Sequence, residues 1–144
     1  MASETILARI PHRPPFLFVD EIVAEDAETI TTRWCPPADA PFFEGHYPGY
    51  PIVPGVLIME MIFQSAALYF AGQSDEDELE GTHPVLTRVS GGRFKRMVRP
   101  DEPLEAHLTL TEALGPARYM RAKVRTADGA LVTSLEFAVA AAKA

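Results

Sequence analysis

Residues 55 to 72 read GVLIMEMIFQSAALYFAG, a run that is apolar on nearly every face of a helix. A helix on a protein surface has a polar side, so this pattern indicates a helix that other structure surrounds. Gly72 is the predicted end of the helix, and the acid-rich residues 75 to 80 predict a solvated loop after it. Glu60 and Gln64 make the run too polar for a membrane span. We therefore predict a buried core helix.

Most of the remaining chain has the β-branched and apolar content of β-strands. The predicted strands cover residues 16–24, 28–35, 85–89, 92–98, 104–114, 117–126 and 130–140. Asp128-Gly129 predicts a tight turn between the last two, because glycine accepts the positive φ that such turns require. A short helix is predicted over residues 4 to 9. The pattern indicates an α+β fold in which a large antiparallel sheet accompanies one buried helix.

The segment before the long helix is rich in proline. Six of the 13 prolines lie between Pro36 and Pro54. Proline lacks a backbone N–H and disfavours helices and central strands, so we predict a stiff, extended loop here. His46 lies inside this loop.

Composition limits the class of protein. A chain of 144 residues with 47% hydrophobic content is expected to form one domain over residues 1–144. The net charge of -7 repels nucleic acid and anionic membranes, so neither is an expected partner. The lone Cys35 cannot form an internal disulfide, and residues 1 to 10 lack the apolar core of a signal peptide. We predict a cytoplasmic protein.

His46 and Glu60 are the candidate catalytic residues. A neutral imidazole can accept a proton at physiological pH, and a carboxyl group on an apolar helix is expected to stay protonated and act as a donor. The Pro54-Gly55 turn into the helix leaves backbone amides unpaired where the helix dipole favours negative charge. Base, acid and anion donor together are typical of a proton-transfer enzyme. The alternatives are that His46 caps a turn and that Glu60 is a buried acid bonded to another group.

Three segments resemble the signature blocks of a known family, in that family's order. They are PHRPPFLFVDEI (11–22), PFFEGHYPGYPIVPGVLIMEMIFQ (41–64) and RFKRMVRPDEPL (93–104). The blocks are similar to those of the 3-hydroxyacyl-acyl carrier protein dehydratases of fatty-acid synthesis, the FabZ type. The resemblance implies a hot-dog fold, in which an antiparallel sheet wraps a central helix. It also implies dehydration of 3-hydroxyacyl-acyl carrier protein to the trans-2-enoyl product, without a cofactor.

The resemblance supports a role for each candidate residue. His46 would remove the C2 proton, Glu60 would protonate the departing 3-hydroxyl, and the Gly55 amide would bind the thioester oxygen as it gains charge. It further implies that two protomers join their sheets, often as a trimer of dimers, and that each active site takes His46 and Glu60 from different protomers. Gln64 lies one helical turn after Glu60 and is predicted to orient its carboxyl group, although packing explains it nearly as well.

Two further sets of residues are candidates for substrate contacts. Aromatic residues near the motif are candidates for an acyl tunnel or are simply core: Phe16, Phe42, Phe43, Tyr47 and Phe63. The densest basic cluster is predicted to dock an acidic carrier protein, or else to be an ordinary solvated strand edge: Arg93, Lys95, Arg96 and Arg99. No metal site is expected, because Cys35 and the other histidines (His12, His83 and His107) show no ligand spacing.

The sequence departs from the family pattern beside Glu60. Met61 and Phe63 stand where the family has small alanines, which leaves the acyl length open, and Asp101-Glu102 replaces a common Gly-Asp pair.

Two other functions remain as alternatives to the dehydratase. One is a hot-dog thioesterase, with Glu60 as an ionised base that directs water at the thioester carbonyl. The other is a non-catalytic subunit that binds acyl chains or supports a partner.

Overall fold

A computed structural model of the chain describes residues 1–73 and 82–143. The elements are α1 (Glu4–Arg9), β1 (Glu21–Glu25), β2 (Thr29–Trp34), α2 (Phe42–His46), α3 (Gly55–Gln73), β3 (Thr82–Phe94), β4 (Leu104–Leu114), β5 (Ala117–Thr126) and β6 (Leu131–Lys143). The predicted acidic loop over residues 75 to 80 lies outside the described residues.

The six strands form one antiparallel sheet in the order β1-β2-β4-β5-β6-β3, and α3 packs against it. Alternate residues of β5 point toward the helix, so Met120, Ala122 and Val124 are buried while the residues between them are exposed. Ile62 and Leu68 of α3 are also fully buried. The predicted α+β fold with a central helix is confirmed.

By length and composition alone α3 could cross a membrane, so the prediction that Glu60 and Gln64 make it too polar is wrong. Half of its most apolar stretch is nevertheless buried inside the structure, as predicted for a core helix. The described residues are helical through Gln73, so the predicted stop at Gly72 lies inside the helix.

The guanidinium group of Arg9 links α1 to β1 and to α3 by hydrogen bonds. Arg9 donates to both carboxylate oxygens of Glu25, at 2.9 and 2.8 Å, and to the carbonyl of Leu68 at 3.5 Å. A Cβ atom at Gly72 would lie 2.7 Å from the Arg9 Nη1 atom, so glycine leaves room for the arginine. The hydrogen bonds from Arg9 lower the pKa of Glu25. The clamp joins α1, β1 and α3.

The strand predicted over residues 16 to 24 is largely wrong, because β1 begins only at Glu21. The backbone of the residues before β1 forms hydrogen bonds with a side chain and not with a neighbouring strand. Phe18 N donates to Gln64 Oε1 at 2.8 Å, and Gln64 Nε2 donates to the Phe16 carbonyl at 3.2 Å. A buried glutamine of α3 thus takes the place of a neighbouring strand.

The two strands predicted over residues 85–89 and 92–98 are one strand, β3, which ends at Phe94. Its register against β6 shifts between Ser90 and Arg93, and Gly91 has a φ of 65°. Glycine adopts such a conformation readily, so the Gly91-Gly92 pair forms a bulge inside the strand and does not end it.

The prediction that residues 36 to 54 contain no helix is wrong for α2. Pro41 is the N-cap of this short helix, with a φ of -65°, and no proline occurs from Phe42 to Tyr47. Proline is tolerated at the start of a helix, where its missing N–H would have no partner. His46 is therefore the last residue of α2 and does not lie in an extended loop.

Candidate active site

The imidazole of His46 is oriented by the loop that follows α2. Its Nδ1 lies 3.2 Å from the carbonyl oxygen of Ile52, so Nδ1 carries the proton and donates. The Nε2 atom is then the unprotonated nitrogen, which is the form that a general base requires. The ring of Tyr47 packs against the imidazole with centroids 4.5 Å apart.

The start of α3 presents backbone amides that precede the first helical bonds. Leu57 N and Ile58 N both bond to the Pro54 carbonyl, at 2.9 and 3.3 Å. The amides of Gly55 and Val56 come before them, at the end of the helix where the dipole favours negative charge. This arrangement suits an oxyanion donor.

Glu60 lies on α3 with its side chain 23% exposed in the single chain. Its Oε2 accepts a hydrogen bond of 3.1 Å from Gln64 Nε2. Gln64 is fully buried, and its bonds to the backbone of Phe16 and Phe18 fix the amide. The contact is the one predicted for a residue that orients the Glu60 carboxyl group.

The single chain does not join His46 to Glu60. Within residues 1–73 and 82–143, the imidazole found within 4.0 Å of the Glu60 carboxylate is that of His12, with Nε2 4.0 Å from Oε2. The sequence predicted no role for His12, and its contact with Glu60 was not foreseen. The available signal was its place in the first family block, PHRPPFLFVDEI.

A cavity of about 780 Å³ lies beside the C-terminal part of α3; His12 lines it and Glu60 does not. Ala67, Phe70 and Ala71 of α3 form one wall, and Val139 of β6 forms part of another. Arg9, His83 and Arg118 also line it, so the cavity is partly polar. Pockets of this size accommodate small organic ligands. Among the described residues, no group of three or more histidine, cysteine or acidic side chains is arranged to hold a metal ion.

The predicted aromatic residues lie elsewhere and do not line this cavity. Phe43 is buried in the core, and Phe63 packs on Phe137 with ring centroids 5.4 Å apart. Phe16 and Tyr47 are 50% and 56% exposed. A tunnel role for Phe16, Phe43, Tyr47 or Phe63 stays a prediction. Met61, which departs from the family pattern, is fully buried in the core and does not line the cavity.

The predicted basic cluster adjoins the loop between His46 and α3. The guanidinium of Arg99 lies over the Tyr50 ring, 5.2 Å from its centroid, and donates to the Tyr50 hydroxyl at 3.3 Å. Arg96 pairs with Glu102 at 2.5 Å. Arg93 and Lys95 are exposed and have no ion-pair partner among the described residues.

Comparison with known proteins identifies the family. The family model described as "ApeI-like: ApeI dehydratase" matches residues 22–135. The 3-hydroxyacyl-[acyl-carrier-protein] dehydratase FabZ of Anaeromyxobacter dehalogenans is 37% identical over 129 residues, which cover 89% of this chain and 82% of the relative. The FabZ of Oceanobacillus iheyensis is 34% identical, and the match covers 97% of this chain and 98% of the relative.

The chain belongs to the FabZ dehydratase family.

Solved structures with low sequence identity confirm the hot-dog fold. The dehydratase heterocomplex ApeI:P from Xenorhabdus doucetiae matches with a TM-score of 0.81 at 11% identity, over 96% of this chain and 91% of that chain. A thioesterase from Haemophilus influenzae matches with a TM-score of 0.64 at 15% identity, over 85% of this chain and 78% of that chain. These two likenesses concern the fold alone. The FabZ relatives establish that this FabZ-type chain is a dehydratase.

Proposed function

We propose that this FabZ-type enzyme removes water from 3-hydroxyacyl chains on an acyl carrier protein, in the cytoplasm, during fatty-acid biosynthesis. The observation that carries the proposal is the setting of Glu60. One of its carboxylate oxygens accepts from the buried Gln64, and His12, which lines the cavity beside α3, lies 4.0 Å from the same oxygen. A carboxyl group oriented in this way is suited to deliver a proton to a bound chain.

In the proposed reaction, His46, Gly55 and Glu60 each perform one task. His46 Nε2 removes the C2 proton, and the electron pair moves toward the thioester oxygen, where the Gly55 amide stabilises the developing charge. Glu60 then gives its proton to the 3-hydroxyl, which leaves as water while the C2–C3 double bond forms. The enzyme finishes with His46 protonated and Glu60 ionised. Transfer of one proton from His46 to Glu60, directly or through water, restores the starting state.

We further propose that two copies of the chain complete the site. β3 is a long strand at one edge of the sheet, and its side chains Val85, Leu86 and Val89 are about 40% exposed. An edge of this kind offers unpaired backbone groups to a second strand. Pairing of β3 with β3 of a second copy would extend the sheet, and His46 would meet Glu60 of the partner subunit.

The basic cluster is the proposed docking surface for the carrier protein. Val53 N donates to the Val98 carbonyl at 2.8 Å, so the segment that holds this cluster is bonded to the loop between His46 and α3. Arg93 and Lys95 supply positive charge on a chain whose net charge is -7. An acidic partner would be drawn to this surface against the overall field.

The test is hydration of a short trans-2-enoyl thioester, which is the reverse of the proposed step. Loss of the conjugated enoyl absorbance is followed with the substrate on acyl carrier protein and on coenzyme A. We expect the wild type to turn over, and His46→Ala and Glu60→Gln each to lose roughly 10²- to 10⁴-fold. Thiol release without hydration would instead indicate a thioesterase. Acyl binding with no reaction on either carrier would indicate a non-catalytic subunit.

A further inference from the structure

We propose that His12 is a positioning residue that holds one carboxylate oxygen of Glu60, so that the other oxygen carries the transferred proton. This inference rests on the proposed function of Glu60 as the acid. Its basis is the placement of two N–H groups near the same oxygen atom of Glu60.

The two oxygens of Glu60 have different surroundings. Oε2 accepts from Gln64 Nε2 at 3.1 Å, and His12 Nε2 lies 4.0 Å from the same atom. Oε1 has no hydrogen-bond partner among the described residues. A protonated carboxyl group places its proton on the oxygen that does not face N–H donors. In the protonated form that the proposed function requires, the proton of Glu60 therefore lies on Oε1.

The surroundings of His12 also determine its tautomer. Its Nδ1 is buried and has no hydrogen-bond partner in the described structure. An imidazolium would bury an unpaired N–H at this atom, which is unfavourable. The neutral ring with its proton on Nε2 avoids that cost and points the N–H toward Glu60. His12 is thus a donor to the acid and not a second base.

The backbone around His12 is held in place by its neighbour. Arg13 Nη1 donates to the carbonyls of Ile10 and His12, at 2.8 and 2.7 Å, and Nη2 donates to the Leu7 carbonyl at 2.8 Å. These bonds fold the segment after α1 back on itself. The imidazole is therefore presented to Glu60 by a fixed loop, which lowers the cost of orienting it.

The contact gains strength when Glu60 loses its proton. A hydrogen bond between these atoms requires an approach of about 1 Å, or one bridging water. A donor stabilises a carboxylate more than the neutral acid, so the His12 N–H favours the state that follows proton transfer. The bond from His12 is therefore expected to affect kcat, which reports the chemical step, more than KM, which reports substrate binding.

His12→Ala, His12→Gln and His107→Ala are compared in the enoyl hydration assay. We expect His12→Ala to lower kcat about tenfold with KM nearly unchanged, because the lost bond acts on the charged form of Glu60. His12→Gln should recover most of the rate, since its amide can donate to the same oxygen. His107→Ala removes an exposed imidazole on β4 that bonds Thr31, and should leave kcat unchanged.

His12→Ala is then combined with Glu60→Gln, and the residual hydration rate of the double variant is compared with that of Glu60→Gln alone. If His12 acts through Glu60, His12→Ala will cause no further loss in the residual rate. A further tenfold loss would indicate a merely structural role, and an unchanged kcat in otherwise wild-type enzyme would also overturn the proposal. Inactivity of His12→Gln, with its thermal melt retained, would make His12 a reacting group instead. A fully active Glu60→Gln single variant would refute the acid assignment itself, independently of any His12 variant.

Discussion

At the scale of single residues, the side chains proposed for catalysis are oriented by hydrogen bonds within the chain itself. The Ile52 carbonyl fixes the tautomer of His46, and Gln64, itself bonded to Phe16 and Phe18, fixes one oxygen of Glu60. Side chains locked in this way lose little entropy when they react.

Gly55 provides a steric test of the oxyanion assignment. A Cβ at this position would lie 3.1 Å from Cε1 of Phe94, so Gly55→Ala must shift the ring or the start of α3 by a few tenths of an ångström. We expect kcat to fall by about tenfold or more, because small displacements of a positioned donor are costly. Steady-state hydration kinetics and a thermal melt measure the two effects separately.

The matched control is Gly45→Ala, whose added Cβ would meet no atom within 4 Å. Its kcat should stay near that of the wild type. Adding Phe94→Ala to Gly55→Ala should restore part of the lost rate by removing the obstructing ring. A Gly55→Ala enzyme with the wild-type kcat would contradict the assignment.

The sequence predicts these residues only where they share a local motif. His46, Gly55, Glu60 and Gln64 lie within one block, so their spacing along the loop and helix could be interpreted directly. His12 contacts Glu60 only because α1 and its following loop pack beside α3, and no local pattern in the sequence gives that contact.

At the scale of elements, strands with regular alternation were predicted well. The predicted limits of β4 and β5 agree with the structure, and Gly129, with a φ of 91°, forms the predicted turn. Where the predicted strands were wrong, contacts between residues distant in the sequence explain the difference. Residues Phe16 to Asp20 look like a strand, but their backbone bonds to a distant glutamine side chain. Composition alone does not reveal such a partner.

The clamp between Arg9 and Glu25 predicts a pH dependence of stability. Its hydrogen bonds lower the pKa of Glu25 below the unfolded value of about 4.3. The stabilisation is therefore complete above the unfolded pKa and is lost as pH falls through the folded pKa. We expect Glu25→Gln to reduce the free energy of unfolding by about 1 kcal/mol at pH 7.

Urea denaturation of wild type and Glu25→Gln across pH 3 to 7 checks this prediction. The difference between them should shrink as the pH is lowered below about 4. Glu21→Gln, at an exposed ion pair with Arg33, is the control and should have a smaller effect. A difference that stays constant through the acid range would show that Glu25 stabilises by packing alone.

The open edge of β3 gives a prediction about assembly. Val89 is 39% exposed on this strand, and Val89→Lys would place like charges near one another if two copies pair there. We expect the variant to become monomeric and to lose hydration activity, as measured by light scattering and kinetics on the same sample. Val23→Lys on β1, the opposite edge strand, should remain associated and active. A monomeric wild type with full activity would refute pairing through β3.

At the scale of the whole molecule, charge is distributed unevenly. The net charge is -7, yet Arg93, Lys95 and Arg99 lie close together in the sequence, and Arg99 contacts Tyr50 in the loop between His46 and α3. Such a local reversal of sign steers an acidic partner toward one face.

Charge reversal at two residues tests this surface. The double variant Arg93→Glu/Lys95→Glu should raise KM for the carrier-protein substrate by roughly three- to tenfold and leave KM for the coenzyme A substrate unchanged. The same change at Lys123, an exposed residue of β5, serves as the control and should affect neither substrate. An equal rise for both carriers would indicate damage to the active site and not loss of docking.

The most direct test of the central claim is complementation between two inactive enzymes. His46→Ala and Glu60→Gln chains are co-expressed with different tags, and the mixed dimer is purified and assayed for enoyl thioester hydration. If each site takes its base and its acid from different protomers, the mixed dimer has one intact site and should recover about half of the wild-type rate. Each variant alone should stay inactive. A verified mixed dimer that shows no hydration would contradict the account.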